Sequence, residues 1–466
     1  MEHTPHGYWL EEAGAVEPAA PLAGERAADV VVVGGGYTGL WAAWHAKALE
    51  PEARVVLLEA DVHCGCGPSG RNGGFCNSLW LSLPNMRRRW GAERALAVAR
   101  AAEDAVVGIG DFCEAEGVEA WFRHAGYLKV STAEAFDDST FEALAACRDL
   151  GEAEAARELD SDRVAERCSS PAFRGGVFFP DAATVQPARL ALGLRERLLA
   201  TGVEIFESSP MRSLRRRANG VEARTESGLV RAGTAILAIG GAAKGLRGPL
   251  RGRLSIASSH IVLTEPVPEL LEEIGWTGGE CITDSRALVD YFRTTPDGRI
   301  AFGWGGGKIA IGARLDGRAE HDREVVNQTI EHMGSYFPGL RGKEVTHAWG
   351  GPIDASPTHL PLVLPLRGDR AFAAAGYTGN GVGPSHMVGR TLASLALDRR
   401  DEASRLAFVD PSPPRVPPEP FHWIGGEAIR AGIMAKEDAQ LEGRDPGWLS
   451  SKVAAVPELI GFHIGR

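Results

Sequence analysis

Nowhere does this chain run long enough in apolar residues to cross a bilayer; its richest stretch, residues 30–44, is short and interrupted by glycine. Basic residues are in deficit, with 50 Lys and Arg against 61 Asp and Glu and a net charge of -11. That excludes nucleic acid as the expected partner, because phosphate binding needs clustered cations. The most basic patch, Arg87-Arg88-Arg89, reads as a solvated helix start. The seven cysteines lack the spacing of a disulfide-stapled secreted domain. Cys64, Cys66 and Cys76 lie close together without a zinc-spaced set of His or Cys partners, so free thiols in a loop are expected, with no metal. The first 28 residues lack a basic start followed by an apolar run; they read as an irregular, acidic lead-in, and a cytoplasmic protein is expected.

What is abundant is glycine, 58 of 466 residues, gathered in short clusters at 34–36, 65–74, 240–245, 303–307 and 376–383. Such clusters mark places where backbone approaches a ligand closely. The length exceeds what one hydrophobic core supports, so two domains are expected.

Residues 29–59 carry the sharpest pattern. Asp29-Val30-Val31-Val32-Val33 reads as a buried parallel strand, and Gly34-Gly35-Gly36-Tyr37-Thr38-Gly39 opens a helix. Arg54-Val55-Val56-Leu57-Leu58 is a second buried strand ending at Glu59 and Ala60. Gly34 permits the tight turn, Gly36 lets backbone reach a pyrophosphate, and Gly39 allows close helix–strand packing. The helix start, with Tyr37 and Thr38, offers N–H groups and a positive dipole end to phosphates. Glu59 stands where a carboxylate accepts from ribose hydroxyls. A dinucleotide is implied, without a choice between flavin and nicotinamide.

Two further segments make that choice. One is Gly67-Pro68-Ser69-Gly70-Arg71-Asn72-Gly73-Gly74-Phe75; the other is Gly376-Tyr377-Thr378-Gly379-Asn380-Gly381-Val382-Gly383. Both resemble the D-amino-acid-oxidase-like flavoprotein superfamily of glycine and sarcosine oxidases, with the nearest likeness to its gamma-glutamylputrescine oxidoreductase-like branch. The resemblance spans roughly residues 29–395. It implies FAD, with residues 67–75 along the pyrophosphate and flavin, Gly240-Gly241 again near the cofactor, and 376–383 at the pyrimidine end. There a helix opening near Pro384 would aim its positive end at the reduced flavin. No cysteine stands in residues 351–354 and no histidine in 67–75, so the FAD is expected to be non-covalent.

The fold class expected is α/β and α+β: a discontinuous Rossmann-like FAD-binding domain (29–85, 181–251 and 346–400) and a substrate domain (86–180 and 252–345). The latter is a mostly antiparallel sheet with flanking helices, forming a roof. Residues 401–466, opening on a proline-rich linker from Pro411 to Pro420, read as a helical extension packed on the surface or on a subunit partner. The oligomeric state is not legible.

The family's chemistry implies hydride transfer to flavin from the carbon beside a nitrogen, then hydrolysis of the imine, with oxygen or another electron acceptor. The expected substrate is a small amine, amino acid or aminophosphonate. Tyr291 and Arg293 share one face of a strand; Arg293 is either a clamp for a carboxylate or phosphonate or a surface residue beside the 295–298 hairpin. His260 either faces the flavin or satisfies a core hydrogen bond. Lys308 is either an oxygen-promoting cation or an exposed turn residue. Trp349, His359, Tyr377 and His386 fall near flavin-binding segments. Three alternatives stay open: a flavin hydroxylase, for which Gly368-Asp369 stands in the wrong setting, an alcohol-type dehydrogenase, and a non-catalytic FAD-binding subunit.

Overall fold

The computed structural model describes residues 7–241, 250, 252–313, 317–366, 370–410 and 412–464. Gly368-Asp369, Pro411 and residues 242–245 of one glycine cluster lie outside these.

Two eight-stranded sheets organise the chain. In the first, β1 (Gly24–Val33) lies between β2 (Val55–Leu58) and the strand Gly228–Leu237, parallel to both. Glu204–Phe206 extends the β2 side in parallel, and Ala371–Ala375 extends the other side. Val31, Val32, Val56 and Leu57 are wholly buried, as a parallel sheet covered on both faces requires. Helix α2 (Tyr37–Leu49) packs on this sheet beside the helix Val382–Ala396. The fit is close enough that a Cβ on Gly389 would come within 2.6 Å of Trp41 Cβ.

The second sheet is mostly antiparallel. Ser255–Thr264, Ile300–Trp304 and Asp290–Thr294 form its centre, with Val345–Ala355 paired along Ser255–Thr264. The sequence pattern groups this strand with the cofactor pieces from residue 346; its register pairs it within the roof sheet, and the chain returns to the first sheet only at Leu362. The expected turn at 295–298 is present: Gly298 N–H donates to Thr295 O at 3.0 Å, and Gly298 has φ +78°. The helix Pro187–Ala200 is capped by the Gln186 side chain, which accepts from Arg189 N–H at 2.8 Å.

The N-terminal segment differs from expectation, while the C-terminal one is helical as expected. The lead-in forms helix α1 (Tyr8–Ala13), whose Trp9 is fully buried. Trp9 meets Trp349 edge-on, with ring centroids 6.0 Å apart, and its carbonyl accepts from Gln186 Nε2 at 2.7 Å. The C-terminal extension folds as the helices Phe421–Leu441, Trp448–Ala454 and Val456–Leu459. All seven cysteines are buried, and none is joined in a disulfide among the described residues. No helix among the described residues is long and apolar enough to cross a membrane.

Candidate functional site

A cavity of about 1150 Å³ lies where the carboxyl ends of the parallel strands meet the roof sheet. Its volume exceeds the usual range for a single small-ligand pocket, roughly 300–1,000 Å³.

The cradle starts at β1. Gly34 has φ +110°, and a Cβ on Gly39 would fall 1.9 Å from the Gly34 carbonyl oxygen, so strand, turn and helix pack as tightly as the three-glycine spacing predicts. Glu59, just past β2, accepts from Gly35 N–H at 2.5 Å and Asp61 N–H at 2.8 Å, and burial pushes its carboxyl up from the ordinary range. The loop after β2 folds back over the start of α2: Ser69 Oγ accepts from Tyr37 N–H at 2.9 Å. Asn72 shapes this loop, donating to Ser69 O at 2.9 Å and accepting from Gly74 N–H at 2.7 Å.

The distant glycine turn joins the same site. Tyr377 hydroxyl lies 2.6 Å from Thr38 Oγ1, tying the late turn to the first helix. Asp354 Oδ2 accepts from Gly376 N–H at 2.8 Å, and burial pushes this carboxyl up to about 6. Asn380 donates to Ser78 O at 3.2 Å. The helix expected near Pro384 begins at Val382.

Of the predicted cofactor residues, Gly34, Gly36, Tyr37, Thr38, Glu59, Ala60, Ser69, Arg71, Asn72 and Gly73 line the cavity, as do Gly240, Gly241 and residues 377–382. Gly39, Gly70, Gly74 and Gly376 are not in the lining and sit where chain touches chain. A Cβ on Gly70 would be 2.3 Å from Gly65 O, and one on Gly74 2.3 Å from Val185 O.

The four candidate reaction residues separate. Tyr291 lines the cavity, its hydroxyl 2.8 Å from Ser259 Oγ and its ring edge-on to Phe75. Arg293 shares that face but lies outside the lining. It is buried, donates to Val185 O at 2.5 Å and Gly74 O at 3.2 Å, and so holds the 67–75 loop; burial pushes its guanidinium down to about 10. Neither the clamp nor the surface residue matches this placement. His260 is fully buried and faces away: Ser255, Ala257, Ser259 and Ile261 line the cavity, and a strand alternates. Its Nε2 accepts from Asp322 N–H at 3.0 Å. Lys308 also turns outward, between lining residues Gly307 and Ile309, and pairs with Asp322 at 3.1 Å and Glu324 at 2.6 Å. It is the turn lysine and not a cation in the cavity.

Trp349 lines the cavity and donates to Arg71 O at 2.8 Å, and His359 lines it as well. His386 packs instead against Trp41 and His45, where burial pushes it down to about 4. Sequence reasoning missed Asp354, the Ser255–Ser259 face and above all the C-terminal extension, which supplies lining residues from Val416 to Ile464. The extension packs on the cavity, not merely on the surface.

The cavity suits a long dinucleotide. Gly240 and Gly351 open onto it with room to spare: a Cβ on Gly240 would meet only Asp354 Oδ2, at 3.9 Å, and one on Gly351 nothing within 4 Å. Arg71 Nε is buried with no hydrogen-bond partner among the described residues, a donor awaiting an acceptor.

Comparison with known proteins agrees. Residues 29–395 match the family described as FAD dependent oxidoreductase (DAO). The chain is 27% identical over 441 residues to the probable oxidoreductase OrdL of Rhizobium meliloti (strain 1021), covering 92% of this chain and 95% of the relative. It is 28% identical over 451 residues to gamma-glutamylputrescine oxidoreductase of Escherichia coli (strain K12), covering 95% and 99%. The crystal structure of glycine oxidase from Geobacillus kaustophilus superposes with a TM-score of 0.68 at 18% identity, covering 84% of this chain and all of that one, which shows a shared fold. With the family match running through both sheets, the chain belongs to the DAO family of FAD-dependent oxidoreductases.

Proposed function

We propose that this oxidoreductase oxidises the C–N bond of a small amine or amino acid to an imine, which water then hydrolyses. The observation that carries the reading is the shared cavity: the dinucleotide cradle and a roof bearing Tyr291 and Ser259 enclose one space. The name of the Escherichia coli relative supports an amine substrate.

Gly34, Gly36, Glu59, Ser69, Gly240 and residues 377–382 would hold FAD, and Arg71 Nε would find its partner there. When bound, FAD supplies the acceptor for a hydride from the carbon beside nitrogen. The protein orients the substrate, excludes water and favours the neutral amine by keeping charge out of the reacting region. Glu59 and Asp61 lie at the cradle end of the lining, and Asp354 is engaged by Gly376 N–H and held toward its neutral form. Tyr291, hydrogen-bonded to Ser259 on the cavity wall, is the roof group that would contact substrate. Among the described residues no cysteine is in the lining, which supports a non-covalent cofactor, one that acid precipitation would release into the supernatant.

Anaerobic mixing with a panel of amines and amino acids tests the proposal. Bleaching of the flavin by members of the panel is expected; bleaching by NADPH or by a 2-hydroxy acid, and by no amine, would replace this reading with hydroxylase or alcohol-type dehydrogenase chemistry.

A further inference from the structure

The family match ends at residue 395, yet the chain beyond it builds one wall of the cavity. On the helix Phe421–Leu441, the lining pairs Phe421-His422, Gly425-Gly426 and Ile429-Arg430, followed by Ile433, recur every four residues, so they form one stripe. Two contacts seat this stripe. Glu427 accepts from Ile309 N–H at 2.6 Å, and Glu437 accepts from Ala287 N–H at 2.6 Å. Ile309 and Ala287 themselves line the cavity from the roof side.

Among the described residues the lining contains two arginines and no lysine. Arg71 is paired with Glu320 at 3.2 Å. The other, Arg430, stands on the wall made by the extension, and its side chain is only 16% exposed. Its Nε lies 3.4 Å from Glu427 Oε2, and its Nη1 faces Met434 Sδ, a weak acceptor, at 2.8 Å. Nη2 makes no hydrogen bond among the described residues. A guanidinium held this way keeps part of its planar fork open to the cavity and short of acceptors, and a carboxylate would complete it with two parallel bonds. Ile429 and Ile433 beside it would flank a methylene chain.

We infer that Arg430 is a specificity-determining residue that binds a carboxylate on the substrate, and that the extension supplies substrate recognition which the family's shared fold lacks. The inference rests on the amine-oxidation reading for the identity of the rest of the substrate. A bound carboxylate and the Glu427 carboxylate would share the guanidinium, Glu427 fixing its orientation from the protein side.

The test compares FAD-loaded wild type with Arg430→Met and Arg430→Lys, each checked for unchanged flavin content and melting temperature. Glutarate, which has no amine to oxidise, is titrated by calorimetry. Flavin reduction is then followed anaerobically with 5-aminopentanoate and with its primary amide, a pair differing in the carboxylate alone. Arg430→Met is expected to weaken glutarate by about 10- to 100-fold, the range of a charge-assisted hydrogen-bonded contact, with Arg430→Lys between. The same loss is expected in the apparent affinity for 5-aminopentanoate, with the limiting reduction rate and the affinity for the amide unchanged. Equal weakening of acid and amide would show a merely structural role and overturn the inference. So would glutarate binding that survives Arg430→Met, or that is absent from wild type. If no amine reduces the wild-type flavin, the amine reading fails separately, and the carboxylate site stands or falls on glutarate.

Discussion

Replacing Glu437 examines how the extension is fastened to the roof. This carboxyl is 5% exposed, accepts from Ala287 N–H, and lies near Arg286. Arg286 is already engaged by Asp284 and Asp290, while Tyr336 hydroxyl donates to Asp284 at 2.7 Å. Glu437 therefore adds an acid to a crowded anionic group, and burial pushes it up to about 7 from its ordinary 4.5. A raised carboxyl favours the folded state in its neutral form. That contribution is complete below the unfolded value of 4.5 and is lost as pH rises to about 7. Glu437→Gln keeps an acceptor for Ala287 N–H and does not titrate, so its stability relative to wild type should climb between those pH values and then level off. The shift corresponds to about 3 kcal/mol, order of magnitude, at ~1.4 kcal/mol per pH unit. For a chain this long unfolding as one unit, the unfolding entropy is about 1 kcal/mol per kelvin, so the gain in melting temperature is roughly 3 °C. Glu437→Ala leaves the Ala287 amide without its acceptor and should lose about 1–3 kcal/mol against Gln at every pH. The assay is thermal unfolding of the FAD-loaded protein from pH 5 to 8.5. A Gln variant less stable than wild type at pH 8 would refute the reasoning, because it would mean that the ionised Glu437 is stabilised by Arg286 more than burial penalises it.

Gly39→Ala should abolish FAD retention: its Cβ would stand 1.9 Å from a backbone oxygen, and neither strand nor helix can yield an ångström without opening the cradle. Flavin content of the purified variant checks it, and a fully loaded variant would contradict the packing described. Tyr377→Phe removes the hydroxyl beside Thr38 and should weaken FAD binding about 2- to 10-fold, the usual worth of one hydrogen bond. Quenching of flavin fluorescence on titration of the apoprotein measures that change.

How far the sequence could be read depended on whether the signal was local. The β1–turn–α2–β2 unit with Glu59 is a continuous stretch whose strand, glycines and helix each have their own pattern, and it formed as read. The turn at 376–383 carried its own glycine signature. Positions on the roof were harder, since which face of a strand looks inward depends on a sheet assembled from distant segments. Alternation then decided the outcome. His260 lies between Ser259 and Ile261, and Lys308 between Gly307 and Ile309, so a one-residue difference in parity separates cavity from exterior. Arg293 had the right parity but stands beyond the cavity's end, buried against carbonyls that no local pattern announces. The extension was least legible, because the partners of its helices, Ala287 and Ile309, are more than a hundred residues away.

The extension also bears on how the molecule is completed during synthesis. Every segment of the cradle, from Gly34 to Val382, precedes the helix Phe421–Leu441 in the chain. Translation proceeds from the N-terminus, and domains fold as they emerge. The cradle and roof are thus made while the side later closed by this helix still stands open. The extension is the last wall of the cavity to be made, after every residue of the cradle that would hold FAD.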